Sequence, residues 1–254
     1  MTDQSITTGL VTVCDILGYR AFMRNADPAD YKTRDVLLIL NACPGIARSE
    51  THRLLPDLQG FPQAIESILP VVFSDTIVAT LAFNDSDDYH ARIVKWISFC
   101  TYIQAVEWVM INAFLPIRGC IAQGAYHADH NSYAGRCIID AFDISADMHL
   151  SAVCITDEAY GQLARHVSEK VNLPVEQWMK DMFCPYPVPC HSKPFNKSWL
   201  LRPSQTFGIT KETDPATARR SLIKVFTAHN KGLNVSASEK IDNTLHWYRS
   251  IEAI

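Results

Sequence analysis

Two aspartates sit in segments that are otherwise apolar, and they are the residues best suited to do chemistry in this chain. Asp15 ends the run "LVTVCD", and Asp75 interrupts the run "VVFSDTIVATL". A carboxylate that leaves water costs free energy unless it is paired or bound to a metal. Hard oxygen ligands that meet at one point suit Mg²⁺ or Mn²⁺. The two aspartates therefore predict a divalent-metal site if the fold brings them together.

Each aspartate also has an ordinary structural interpretation. Asp15 could cap the helix that follows it, and Asp75 could be a turn residue. Leu17, Gly18 and Tyr19 come directly after the first strand, where backbone N–H groups at a helix start can bind phosphate. Spacing alone leaves both interpretations of the aspartates open.

Length and composition indicate a soluble globular protein. The chain has 254 residues, of which 48% are hydrophobic and 20% charged, which allows one large domain or a domain with an added lobe. Its net charge of −4 argues against a general nucleic-acid-binding surface. The most apolar stretch, residues 91–116, is interrupted by charged side chains, so we expect no direct membrane insertion.

Cysteine usage points to a reducing compartment. The eight cysteines are scattered through apolar runs, and the first ten residues do not resemble a signal peptide. We therefore expect reduced thiols in a cytoplasmic protein. Cys184 and Cys190 have a spacing that is not a standard zinc pattern.

Hydrophobic periodicity predicts an α+β domain. Residues 7–15 read as a strand, residues 68–83 as a hairpin around Asp75, and residues 87–114 as the clearest helix, followed by a strand over 117–127. Paired strands mixed with helices in this order favour a ferredoxin-like, antiparallel-rich sheet with flanking helices.

The remaining segments give the predicted boundaries. Residues 28–42 read as a helix that ends at Cys43-Pro44-Gly45, with a further helix over 46–57. We expect a catalytic domain over residues 1–182. We expect residues 183–254 to form an extension that is first irregular and then helical, packed on the domain.

Four motifs in order resemble a known family. "CDILGYRAF", "FSDTIVA", "IRGCIAQG" and "YAGRCIIDAFDI" follow at about the intervals of the class III nucleotidyl cyclase catalytic domain, over roughly residues 8–156. They look most like the bacterial pyrimidine cyclases of the Pycsar antiphage defence systems. The order of the four motifs is more specific than any one of them.

The resemblance implies a site and an assembly. Asp15 and Asp75 would bind two Mg²⁺ or Mn²⁺ ions, with the Ile16 carbonyl as an extra ligand, at the interface of a head-to-tail homodimer. The remaining expected substrate contacts are, for the phosphates, Leu17, Gly18 and Tyr19, and, elsewhere in the site, Ser74, Arg118 and Arg136.

Two of these substrate contacts have an alternative. Arg118 could instead form a structural salt bridge or reach the partner subunit, and Arg136 could be a solvated charge. From the C-terminal segment, Lys193 and Lys197 could also reach a triphosphate, although nothing in the sequence fixes them there.

The resemblance also implies a reaction. The 3′-hydroxyl of a nucleoside triphosphate would attack its own α-phosphate and give a 3′,5′-cyclic nucleotide and pyrophosphate. Where purine cyclases carry a selecting Lys, an Asn and an Arg, this chain has Val71, Ile139 and Asp143. This favours a pyrimidine substrate, UTP before CTP, with cUMP or cCMP as the signal to a separate effector protein.

Three alternatives stay open at this point. The chain could be a purine cyclase with an unusual pocket, or a cyclase-like domain that only binds a nucleotide or a partner. It could also be an unrelated α+β protein whose two aspartates are a cap and a turn residue.

Overall fold

The computed structural model describes residues 6–25, 31–55, 60–129, 132–170, 172–192, 198–203, 206, 208–229 and 231–251. Strands and helices alternate irregularly along the chain. In order they are β1 (Thr7–Ile16), α1 (Tyr19–Asn25), α2 (Tyr31–Leu54), α3 (Phe61–Glu66), β2 (Leu69–Phe73), β3 (Thr76–Phe83), α4 (Tyr89–Asn112), β4 (Ile117–Asp129), β5 (Ser132–Ala134), α5 (Arg136–Asp147), β6 (Val153–Ile155), α6 (Asp157–Ser168), α7 (Leu173–Met182), β7 (Phe183–Tyr186), β8 (Ser198–Leu201), α8 (Pro215–Thr227) and α9 (Val235–Ile251).

The strands form one mixed sheet in the order β2-β3-β1-β4-β6-β8-β7, with β5 paired to β4. The central strand β1 is antiparallel to both β3 and β4. Strand β3 lies between β1 and β2, which is the split βαβ arrangement of ferredoxin-like folds. The predicted α+β class with an antiparallel-rich, ferredoxin-like core is therefore confirmed.

Strand β1 is buried on both faces because helices cover both sides of the sheet. Leu10 and Cys14 point to one face, whose core includes residues of α2, α4, α6 and α7. Val11 and Val13 point to the other face, which packs against α5, α8 and α9. Side chains alternate along a strand, so Asp15 belongs to the face covered by α5 and the C-terminal helices.

Helix α2 continues through the proline that we expected to end it. Pro44 lies inside this 24-residue helix, although a proline removes one helical hydrogen bond. Leu40, Cys43 and Ala47 are at most 1% exposed and belong to the core shared with α4. Burial of this face on both sides of Pro44 explains why the helix is not broken there.

The segment that we expected to be irregular contributes two strands. β7 and β8 pair with each other, and β8 pairs with β6, so the expected boundary at residue 182 falls inside one sheet. The helical C-terminal extension is confirmed: α8 and α9 pack on the sheet face that carries Asp15.

All eight cysteines are free thiols, and seven of them are buried. Among the described residues, no helix combines the length and apolarity that a membrane span requires.

Helix α4 buries a carboxyl group in the core. Glu107 is 1% exposed, and neither carboxyl oxygen has a hydrogen-bond partner among the described residues. Burial raises the pKa of Glu107 to about 8, because desolvation disfavours the charged form. Glu107 is therefore largely protonated in the folded protein at neutral pH.

We expect Glu107 to make the protein less stable as pH rises. Its pKa is higher in the folded than in the unfolded state, so the free energy of unfolding falls between about pH 4.5 and about pH 8, by on the order of 4 kcal/mol. Glu107→Gln should remove this component of the pH dependence, as measured by urea unfolding at both ends of the range. The exposed Glu212→Gln is the control, and an unchanged pH dependence in Glu107→Gln would contradict the assignment.

Candidate active site

The structure brings Asp15 and Asp75 together at one end of the sheet. Asp15 pairs with Thr76 across the β1–β3 ladder, and Ser74 and Asp75 form the turn between β2 and β3. The N–H of Ile16 donates to the Asp75 carbonyl at 3.1 Å. The Asp75 side chain is close enough to Asp15 to raise the pKa of the Asp15 carboxyl. The site therefore consists of the C-terminal end of β1 and the tight β2–β3 hairpin turn beside it.

The hairpin turn holds its first residue in an uncommon conformation. Ser74 has φ 56°, in the left-handed region that non-glycine residues seldom adopt. Such a conformation costs of order 1 kcal/mol and persists only where the surroundings fix it. Here the β2–β3 pairing fixes it on one side, and the hydrogen bond from Ile16 to Asp75 fixes it on the other.

Arg118 is the ionic partner of Asp15. Its Nη2 and Nε donate to Oδ2 of Asp15 at 3.0 and 3.2 Å. Its Nη1 donates to the carbonyls of Ala146 and Met148 at 2.6 and 3.1 Å. All three nitrogens are thus bonded to the protein, which matches the structural alternative left open above: Arg118 positions Asp15 and ties β1 and β4 to the end of α5. Its contact with a substrate stays a prediction.

The two neighbouring carboxyl groups of Asp15 and Asp75 favour the binding of a cation. Burial raises the pKa of Asp15, Arg118 opposes the rise, and Asp75 adds to it through its charge and a hydrogen bond. Two carboxyls this close cannot both ionise at little cost unless a proton or a cation lies between them. Oδ1 of Asp15, the carboxyl of Asp75 and the neighbouring backbone of Ile16 are hard oxygen donors, so they fit Mg²⁺ or Mn²⁺.

The protein side of such a metal site is small. Within the described ranges, no group of three or more His, Cys, Asp or Glu side chains is placed to hold a metal ion. Magnesium sites at phosphate substrates use one or two carboxylates and complete the shell with water and phosphate oxygens. Two carboxyls therefore suffice only if a phosphate ligand binds with the ion.

The turn after β1 differs from the phosphate cradle that we expected. The N–H of Leu17 donates to the Pro116 carbonyl at 2.8 Å and is not available to a ligand. Tyr19 packs at the edge of the core, with its ring 5.9 Å from that of Phe22. Gly18 is exposed with φ 81°, so it lies open to a ligand from this turn.

Two lysines of the C-terminal extension complete the site, and sequence reasoning missed both. Lys231 lies over the turn: a Cβ added to Gly18 would be 3.0 Å from Lys231 Cδ. Burial lowers the pKa of Lys231 to about 7, and its ammonium donates to the Phe114 carbonyl at 3.1 Å. Lys240 lies close enough to Asp15 and Arg118 for both charges to act on its pKa, which burial lowers.

The sequence suggested two other lysines of the C-terminal segment for this role. Lys193 and Lys197 lie outside the described residues. No sequence signal relates Lys231 and Lys240 to Asp15, because the contact depends on how α9 docks on the sheet.

Arg136 lies at the other end of the sheet from Asp15. It opens α5 next to Gly135, which packs against Tyr126, and Tyr126 pairs with Thr7 at the start of β1. Its side chain is 92% exposed and lies 3.7 Å from the Asp140 carboxylate. Within one subunit Arg136 is therefore a solvated charge far from the two aspartates, and its contact with a substrate stays a prediction.

Comparisons with known proteins find cyclases among solved structures only. No family model and no curated protein matches the sequence. A bacterial light-regulated adenylyl cyclase is similar with a TM-score of 0.49 and 8% identity, over 89% of this chain and 59% of that chain. The dimeric guanylyl cyclase domain of the RhoGC fusion protein from the fungus Blastocladiella emersonii is similar with a TM-score of 0.46 and 13% identity, over 79% and 97%.

A third solved structure, the guanylyl cyclase Cya2, is similar with a TM-score of 0.43 and 10% identity, over 81% of this chain and 96% of that chain. Scores and identities this low carry no argument about activity. The ferredoxin-like core rests on the strand order, and the site rests on the contacts described above.

We expect removal of Arg118 to destabilise the site end of the sheet. Arg118→Met leaves the half-buried Asp15 carboxyl without its partner, which costs about 1–3 kcal/mol of unfolding free energy. Asp15→Asn in the same background should recover part of the loss. Urea unfolding of the two single variants and the double variant measures the coupling, with the exposed Arg220→Met as control. Additive effects would show that the pair contributes no coupling.

Proposed function

We propose that this chain is a nucleotidyl cyclase of the class III type. The observation that carries the proposal is the convergence of Asp15 and Asp75 at the end of β1 and the β2–β3 turn. The four motifs that resemble the family contain these two positions. The phosphates of the substrate would lie over Gly18, beside the Lys240 ammonium.

The proposed reaction replaces one bond at the α-phosphorus by another. The 3′-oxygen of a nucleoside triphosphate loses its proton to water and bonds to the α-phosphorus, while the bond from the α-phosphorus to the bridging oxygen breaks and pyrophosphate leaves. Asp15, Asp75 and the Ile16 carbonyl would hold Mg²⁺ or Mn²⁺, which lowers the charge repulsion at the phosphates and the pKa of the hydroxyl.

The side chains of the protein would orient the substrate around this centre. Arg118 fixes the Asp15 carboxyl in one position through its two bonds to Oδ2. Lys240 would donate to a phosphate oxygen, because it lines the same small cavity as Gly18 and Lys231. Ser74, which is exposed beside Asp75, would contact the substrate from the hairpin.

A pyrimidine substrate, UTP before CTP, is the finer part of the proposal. It is supported by the residues at three positions where purine cyclases carry polar groups that select the base. Val71 on β2 is apolar, and Ile139 and Asp143 on α5 are exposed to solvent. None of them reproduces the purine set, so the resemblance to pyrimidine cyclases supplies the substrate class.

The assembly and the biological role are further predictions from the resemblance. Phe73 next to the hairpin turn is 78% exposed, and Ile139 and Phe142 on α5 are 59% and 51% exposed. Exposed apolar residues of this kind suit an interface between two copies of the chain, which the molar mass in solution tests. A cyclic nucleotide made here would act on a separate effector in antiphage defence.

Product analysis tests the reaction and the substrate class. We expect the purified chain with Mn²⁺ to convert UTP, and CTP to a lesser extent, to the 3′,5′-cyclic nucleotide, as identified by mass spectrometry against ATP and GTP. Asp75→Asn should reduce turnover by at least about a hundredfold, because it removes half of the metal-binding charge.

The exposed Asp181→Asn on α7 is the matched control and should keep full turnover. A cyclic purine product would retain the cyclase and remove the pyrimidine assignment. Nucleotide binding without any product would favour a binding module instead.

The role of Lys240 is tested by kinetics on the preferred nucleotide. Lys240→Ala should raise KM by about tenfold, because it removes one charge-assisted bond to phosphate. Lys224→Ala, an exposed lysine on α8, is the control. An unchanged KM and kcat in Lys240→Ala would place the triphosphate away from α9.

A further inference from the structure

A second cavity lies at the end of the sheet opposite to Asp15. It has a volume of about 300 Å³ and lies between α4, α6 and the distal parts of β3 and β4. Its residues Phe83 and Gln123 pair with Thr8 and Leu10 in β1. Thr8 is seven residues from Asp15, or about 23 Å along a strand. The cavity is therefore separate from the candidate active site.

The walls of this cavity carry an excess of positive charge. Arg92 comes from α4 and Arg165 from α6. The Arg92 guanidinium lies over the Phe83 ring at 5.8 Å, and Arg165 Nε donates to the Gly161 carbonyl at 3.3 Å. Within the described part of the chain, neither guanidinium has an acidic partner at ion-pair distance. Two arginines converging from different helices suit an anion.

The one acidic side chain in the lining, Glu169, cancels only part of the charge of the two arginines. Glu169 is engaged by His166, whose Nδ1 lies 3.3 Å from the Glu169 carboxylate. His166 Nε2 is 3.4 Å from the Tyr89 carbonyl. Glu169 is therefore held beside His166, and His166 is held against the start of α4. Neither of them pairs with Arg92 or Arg165, which face the cavity.

An unpaired polar atom and an aromatic wall complete the site. Gln123 Oε1 is buried without a hydrogen-bond partner among the residues that the structure describes. An unpaired buried polar atom is costly, and Gln123 lines the cavity. Phe83 and Trp96 form the apolar wall, with Arg92 stacked on Phe83. The cavity thus offers two guanidinium groups to an anionic ligand group, an aromatic surface to a ligand ring, and one hydrogen-bond acceptor to a ligand N–H or O–H.

We propose that this cavity binds a nucleoside monophosphate, open or cyclic. The phosphate would lie between Arg92 and Arg165, and the base would lie along the aromatic wall beside Trp96, with an N–H toward Gln123 Oε1. The volume matches the lower end of small-molecule sites. Cyclic and open forms share one anionic phosphate and one base, and they come from different sources. The proposal does not depend on the proposed reaction, because it concerns binding at the opposite end of the sheet.

Calorimetric titration of the full chain tests the site. The probes are cUMP, cCMP, UMP, CMP, AMP and inorganic phosphate, added without metal. We expect at least one nucleotide to bind more tightly than inorganic phosphate. Arg165→Gln should weaken that binding by about tenfold or more, and Gln123→Leu should weaken it severalfold. Arg165 is exposed, so its substitution leaves the fold intact.

Two controls separate this site from the active site. Asp75→Asn and the exposed Arg220→Gln should leave the affinity unchanged, whether or not the chain turns over any triphosphate. Stronger binding of cyclic than of open nucleotides would identify a cyclic nucleotide as the ligand, and the reverse would identify a free monophosphate. No binding of any probe, binding lost in Asp75→Asn but kept in Arg165→Gln, or equal binding of inorganic phosphate would each overturn the proposal.

Discussion

The ion pair between Asp15 and Arg118 is the interaction on which the site end of this fold depends. A carboxyl at the end of a strand that is buried on both faces needs a fixed cation, and β4 supplies it from the adjacent position in the ladder. The same guanidinium donates hydrogen bonds to two carbonyl oxygens at the end of α5. One arginine thus makes a charged group compatible with the core and determines where α5 ends relative to the sheet.

The C-terminal extension belongs to the site and not only to the exterior of the domain. His229 and Lys231 bond to the carbonyls of Ala113 and Phe114 at the end of α4, which would otherwise lack partners. Thr244 accepts a hydrogen bond from the Ser151 N–H, and this holds α9 against the start of β6. These contacts fix Lys231 and Lys240 over the turn that follows β1. The extension therefore stabilises the framework and adds positive charge to the site.

Local sequence signals were sufficient to predict the elements whose burial is periodic. They were insufficient wherever tertiary contacts determine where an element ends or what a residue does. Strand β1, the β2–β3 hairpin and helix α4 are predictable because apolar residues recur with the period of each element. The predicted end of α2 at Pro44 was wrong, because the core contacts that keep the helix continuous come from α4. The role of Arg118 was one of two open alternatives, and no local pattern relates Lys240 to Asp15. The motif of Arg136 follows the site motifs in sequence, but β4 separates the two in space, because Arg136 lies beyond the far end of that strand.

The strand order also has a consequence for how the chain folds during synthesis. The neighbours of β1 are β3 and β4, and Arg118 is 103 residues downstream of Asp15. On the ribosome, the central strand β1 therefore remains for a time with both edges unpaired, a state prone to association with other chains. The helix that carries Lys240 is synthesised later still. High separation between contacting residues slows folding, so the two-aspartate site is complete only after α9 has left the ribosome.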